Sequence, residues 1–100
     1  MVKHIILWQL KDEISDSEKE TIKRNIKSGL EGLQGKIPGL AEIHVQYEAL
    51  ASSNADVMLD STFESEAALK NYSTHPEHVK VANGNVRPYT KTRVCMDYQV

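Results

Sequence analysis

The sequence is short of the residues that staple, break or anchor a chain. Its one cysteine, Cys95, cannot close an internal disulfide and has no partner at CxxC spacing for redox work. A small fold that manages without disulfides suits a reducing compartment, so a cytoplasmic location is expected. The longest unbroken apolar run is Ile5-Ile6-Leu7-Trp8. That is far below the roughly 20 residues that cross a bilayer and the roughly 7–15 of an export-signal core, so no membrane partner is expected. The two signs of charge nearly balance. With 12 Lys and Arg against 14 Asp and Glu, the formal charge is −2, and no global field favours nucleic acid.

What is present is the composition of a folded domain. Hydrophobic residues make up 40% and charged residues 26%, away from the region of low hydrophobicity and high charge where disorder prevails. A chain of 100 residues has room for one domain, spanning 1–100, that buries about 65% of the surface of its unfolded state.

Residues 2–10 (VKHIILWQL) read as a strand with apolar residues on both parities. Val2, His4, Ile6, Trp8 and Leu10 point one way, and Ile5 and Leu7 the other, so both faces require cover. Ser15-Asp16-Ser17-Glu18 has capping-box spacing and predicts the start of a helix. Ile22, Ile26, Leu30, Leu33 and Ile37 follow at helical intervals, which carries the helix to near Gly35. After Pro38-Gly39, a second strand alternates from Glu42 to Glu48, and a third runs from Val57 to Phe63. Ser65 caps a second helix through Tyr72, and the pattern restarts at Pro76 before giving out at Asn83-Gly84-Asn85. A fourth strand, Thr92 to Val100, sets Val94, Met96, Tyr98 and Val100 against Arg93, Cys95, Asp97 and Gln99.

The order β-α-β-β-α-β predicts an α+β, ferredoxin-like fold: a four-stranded antiparallel sheet with its helices on one face. The other face stays open. Ile5, Leu7 and their neighbours would form an apolar patch there that soluble monomers avoid, so a second copy of the chain is the expected cover.

Val2-Lys3-His4, Lys11-Asp12-Glu13, Ile37-Pro38-Gly39-Leu40, Phe63-Glu64-Ser65, Tyr72, His75-Pro76-Glu77-His78-Val79 and Asp97-Tyr98 together resemble the stress-responsive A/B barrel (Dabb) family. The resemblance runs from the first strand to the last. It implies a dimeric α+β barrel, in which two four-stranded sheets meet face to face. A plant branch of the family closes a linear polyketide by intramolecular aldol condensation, using a Tyr and a His in a hydrophobic pocket. Tyr72 and His78 match those positions and His4 matches another pocket histidine, whereas Val57 replaces a third-strand histidine of that branch.

An imidazole with an ordinary pKa near 6.5 can take a proton next to a carbonyl, which makes His78 the candidate base. Tyr72 is the candidate donor to the oxygen that gains charge. The plainer alternative makes His78 a hydrogen-bonded structural residue and Tyr72 core filler. His4 and Trp8, on the apolar parity of the first strand, complete the expected ligand-binding set. His75, just before Pro76, reads as a helix cap. No metal is expected, because Pro76 disturbs the His75/His78 pair and no cysteine cluster or HExxH pattern supplies further ligands. No haem or flavin motif is present, so no cofactor is expected. Three functions remain open: a homodimer that binds a small apolar or carbonyl-containing molecule between sheet and helices, a cyclase-like lyase, and a non-catalytic interaction dimer.

Overall fold

Alternation along the first strand decides how the layers stack. In the computed structural model, which describes residues 1–100, strand β1 (Val2–Leu10) buries Val2, His4, Ile6, Trp8 and Leu10 under the helices. It turns Lys3, Ile5 and Leu7 to the other face. β2 (Leu40–Gln46), β3 (Val57–Phe63) and β4 (Thr90–Gln99) complete a sheet of order β2-β3-β1-β4 in which every neighbouring pair is antiparallel. This is the ferredoxin-like arrangement.

Helix α1 (Asp16–Glu31) starts where Ser15 Oγ accepts the Glu18 N–H at 3.3 Å, and it buries Ile22, Ile26 and Leu30. It stops four residues before Gly35. Gly32 closes its last turn, and Gly35 takes the left-handed conformation at φ +83°, which a side chain disfavours. Leu33 and Ile37 still reach the core, now from the turns, so the apolar periodicity outlasts the helix. β2 begins two residues earlier than its alternation predicts, because Gly39 (φ +83°) lets the chain pair at once, Leu40 with Phe63. A Cβ on Gly39 would come within 2.5 Å of the Ala68 Cβ, so the turn also passes close under the next helix.

β2 is an edge strand, and α1 covers part of its edge. Glu31 accepts from the Val45 N–H at 2.9 Å and from Lys27 Nζ at 2.7 Å, and Lys27 donates to the Val45 carbonyl at 2.9 Å. Burial alone would raise the Glu31 carboxyl, but Lys27 and the Val45 N–H outweigh it and hold the pKa below the ordinary 4.5. The clamp therefore contributes stability above that ordinary value and loses it as pH falls through the lowered folded value. Urea midpoints measured down through the acid range should show this loss in the wild type and a flatter profile in Glu31→Gln. Parallel profiles would refute the clamp.

The second helical stretch is in pieces. Ser65 Oγ accepts the Ala68 N–H at 3.1 Å to start α2 (Glu66–Thr74), and His75 Nδ1 accepts the Glu77 N–H at 3.1 Å to start α3 (Pro76–Val81). Where the sequence predicts the helix to give out, it continues as one π-helical turn, Ala82–Val86, followed by a 3₁₀ turn, Arg87–Tyr89. Asn85 accounts for this continuation. Its amide donates to the Asn25 carbonyl at 3.0 Å, in space that exists because Gly29 carries no side chain. The wider turn aims both Ala82 and Val86 inward.

β4 lies at the other edge, beyond the reach of the helices, and is exposed along almost its whole length. Its register sets Val94 beside Leu7, Met96 beside Ile5 and Tyr98 beside Lys3, on the open face. Arg93, Cys95 and Asp97 therefore stand on the helix side, beside Trp8, Ile6 and His4.

Candidate functional site

Because no helix covers β4, a gap remains between the sheet and the helical layer along that edge. It is a cavity of about 170 Å³, floored by His4, Ile6, Trp8 and Arg93 and roofed by Tyr72, His78 and Val86. Four residues singled out from the sequence, His4, Trp8, Tyr72 and His78, thus line one space. A second hollow of about 210 Å³ under the β2–β3 loop, bordered by Leu7 and Met58, gathers no imidazole, thiol or guanidinium.

His78 sits in the first turns of α3 and is half-buried. Its Nδ1 lies 3.3 Å from the Ser73 carbonyl, and since a carbonyl only accepts, Nδ1 carries the proton and Nε2 keeps its lone pair. Burial lowers the pKa of this ring; the charges of Arg87, His4 and Arg93 lower it further, against the Ser73 hydrogen bond. His78 is therefore neutral at pH 7, with a free proton acceptor. Its ring is 4.1 Å from that of Tyr72, tilted by 33°.

Tyr72 comes from the last turns of α2 and is 1% exposed, packed against Phe63 at 4.9 Å and edge-on to His4 at 6.1 Å. Its hydroxyl is shut off from solvent and has no hydrogen-bond partner. Burial pushes the phenol well above its ordinary pKa of 10, so it stays a donor. The plainer alternative, core filler with a satisfied hydroxyl, would need a partner that no neighbouring side chain or backbone group supplies. An orphaned buried hydroxyl costs about 1–3 kcal/mol, an unusual defect in a core.

His4 is 6% exposed, and its Nδ1 is in hydrogen-bond contact with the Asp97 carboxylate. A carboxylate accepts, so the proton lies on Nδ1 here as well. Cys95 is exposed on the same side of β4; burial, then the adjacent Asp97 charge, pushes its thiol pKa up. His75 is the helix cap its position predicts and lies outside the cavity lining. Sequence reasoning missed Arg93, Cys95 and Asp97 as site residues. Their shared parity was legible, but which way it faces depends on the pairing of β4 with β1.

A four-stranded antiparallel sheet with its helices on one face and a polar-lined cavity beneath them defines a ferredoxin-like α+β protein with a candidate small-molecule site. The chain belongs to the stress responsive A/B barrel domain (Dabb) family, whose model matches residues 2–100. It is 29% identical over 99 residues to a stress-response A/B barrel domain-containing protein of Arabidopsis thaliana, covering 98% of this chain and 36% of that protein. The chain thus spans about a third of that relative's length. A crystal structure of a dimeric protein of unknown function and ferredoxin-like fold from Bacteroides fragilis superposes with a TM-score of 0.92 at 31% identity, covering 99% of this chain and 95% of that one. The hydroxynitrile lyase of Passiflora edulis shares the fold with a TM-score of 0.71 at 20% identity, over 97% of this chain and 90% of its own. No helix of this chain is long and apolar enough to cross a membrane.

Proposed function

We propose that the chain acts as a homodimer that binds a small, largely apolar molecule bearing a carbonyl group in the cavity between sheet and helices. The observation that carries this reading is the Tyr72 hydroxyl, buried and unpartnered beside a neutral His78. A ligand oxygen gives that donor its missing acceptor once the wall side chains that now shut it off give way. Apolar surface from Ile6, Trp8 and Val86 holds the rest of the molecule. Size narrows the class, since a cavity of roughly 150 Å³ admits about one benzene ring. Aromatic aldehydes and acids and short diketones fit; long acyl chains do not.

A thermal-shift screen of those compounds tests the reading. A ligand at about 100 times its Kd stabilises the folded state by about 2.7 kcal/mol, which shifts Tm by roughly 10 °C or more in a domain of this size. If none of these compounds raises Tm while the dimer forms normally, the interaction-dimer reading replaces this one.

Cyclase-like or lyase chemistry is a second reading, favoured by the free lone pair on His78 Nε2. His78 takes the proton from the carbon next to a carbonyl, and Tyr72 donates to the oxygen as it becomes an enolate. The shared fold of a hydroxynitrile lyase supports the scaffold but not the substrate. With any compound that turns over, His78→Ala should lower kcat by about 100-fold or more while binding survives. Wild-type turnover in His78→Ala would withdraw the base assignment and leave binding intact.

A further inference from the structure

On the far side of His4, which also floors the cavity, one other cluster brings reactive side chains to a single point. Cys95 and Asp97 stand two residues apart on the helix side of β4, and His4 faces them from β1. Cys95 Sγ lies 3.7 Å from His4 Nδ1 and 3.5 Å from Asp97 Oδ1, and the imidazole and carboxylate are already in contact. All three donor atoms fall within 4.8 Å of one another.

Two chemistries use Cys, His and Asp together, and the geometry separates them. A nucleophilic triad needs the imidazole between its partners, one ring nitrogen to the thiol and the other to the carboxylate. Here the thiol and the carboxylate both lie against Nδ1, so no relay can run through the ring. Convergence of three donors on one point is instead what a metal ion requires. In a tetrahedral site with bonds of about 2.3 Å to sulfur and about 2.0–2.1 Å to nitrogen or oxygen, sulfur sits roughly 3.6 Å from each of the others. Both sulfur distances already match. Only the His4–Asp97 contact must open, as an ion takes the place of the shared proton.

We propose that His4 Nδ1, Cys95 Sγ and the Asp97 carboxylate form a binding site for a zinc-like divalent transition ion, with a fourth position open. The mixed sulfur, nitrogen and oxygen set is too soft for magnesium or calcium. With thiolate and carboxylate both ionised, two negative charges balance the ion. Arg93, two residues from Cys95 on the same side, opposes a cation, which is why both anions are needed. The His4 ring is held edge-on against Phe63 at 6.2 Å and Tyr72 at 6.1 Å, so one ligand is oriented in advance. Asp97 also borders an open hollow of about 450 Å³ beside Lys70 and Glu66, which provides a route from solvent. The apolar stripe of Leu7, Val94 and Met96 lies on the opposite face of the sheet, so a dimer formed there leaves the site accessible. The site does not depend on the cavity holding a ligand.

Metal-free protein, kept reduced with a phosphine, should be titrated with cobalt(II) and then zinc. The expected result is one cobalt per chain with a thiolate-to-cobalt charge-transfer band, bleached when zinc displaces it. Cys95→Ser should abolish the band. Cys95→Ser and Asp97→Asn should each weaken zinc binding by about 100-fold or more in competition with a chromophoric chelator, with circular dichroism unchanged. His44→Gln, at the exposed His44–Glu42 pair on β2, should leave affinity unchanged. Absence of the charge-transfer band, zinc affinity in Cys95→Ser equal to wild type, or loss of binding in His44→Gln would each overturn the assignment.

Discussion

Leu7→Lys is expected to turn a dimer into a folded monomer, with the mass seen by light scattering falling from twice 11.3 kDa to 11.3 kDa. Leu7 is 38% exposed at the centre of the open sheet face, with Met58 on one neighbouring strand and Val94 on the other. Val94, Met96 and Tyr98 extend this surface at 62%, 66% and 41% exposure. Such a contiguous apolar stripe is what a second copy would cover, and the Bacteroides fragilis relative is dimeric. In a two-fold contact each substitution enters twice. Two unpaired ammonium groups between packed sheets cost several kcal/mol, roughly a thousandfold or more in dissociation constant. Within one chain Leu7 packs under no helix, so the lysine should not unfold the monomer, and far-UV circular dichroism should be unchanged. A wild-type protein that is monomeric at micromolar concentration would remove the dimer from the reading.

Tyr72→Phe is expected to stabilise the ligand-free protein and to weaken its ligand binding. Deleting a buried hydroxyl that has no partner removes a desolvation cost of about 1–3 kcal/mol and leaves the ring packing against Phe63 and His78 in place. For a domain of this length each kcal/mol is worth roughly 4–8 °C in Tm. The variant should therefore melt at least 4 °C or so higher. The same change takes away the donor for the ligand's oxygen, so the Tm increment produced by a screened compound should shrink as its affinity drops by about tenfold. Natural sites often show this opposition of stability and function. A Tyr72→Phe protein that melts lower than wild type would mean that the hydroxyl is satisfied in solution, and the cavity would lose its principal indication of a ligand.

Much of this molecule is written in local pattern. The limits of β1 and β3, the caps at Ser15, Ser65 and His75, and the separation of Ile5 and Leu7 from the rest of β1 all follow from side-chain period and from short hydrogen bonds between near neighbours. The gathering of Tyr72 and His78 is local too, since they lie six residues apart across one helix break. The end of α1 was less legible, because Leu33 and Ile37 keep a helical spacing while serving the core from turns. The π turn at Ala82–Val86 was not legible at all; it depends on Asn85 meeting Asn25, sixty residues away in the chain.

β4 shows the same division most clearly. Its alternation separates Arg93, Cys95 and Asp97 from Val94, Met96 and Tyr98, but a period of two says only which residues share a face, not which face is which. Burial could not decide the question, because an edge strand beyond the helices is exposed on both sides. Pairing with β1 decided it, through contacts between residues some 90 positions apart in the chain: Asp97 opposite His4, Cys95 opposite Ile6, Arg93 opposite Trp8. Sequence by itself determined the elements, their order and the two-sidedness of the first strand, since those rest on interactions within a few residues. Only the tertiary structure decided the cavity wall along β4 and the meeting of His4 with Cys95 and Asp97, because strand register is a property of two segments at once.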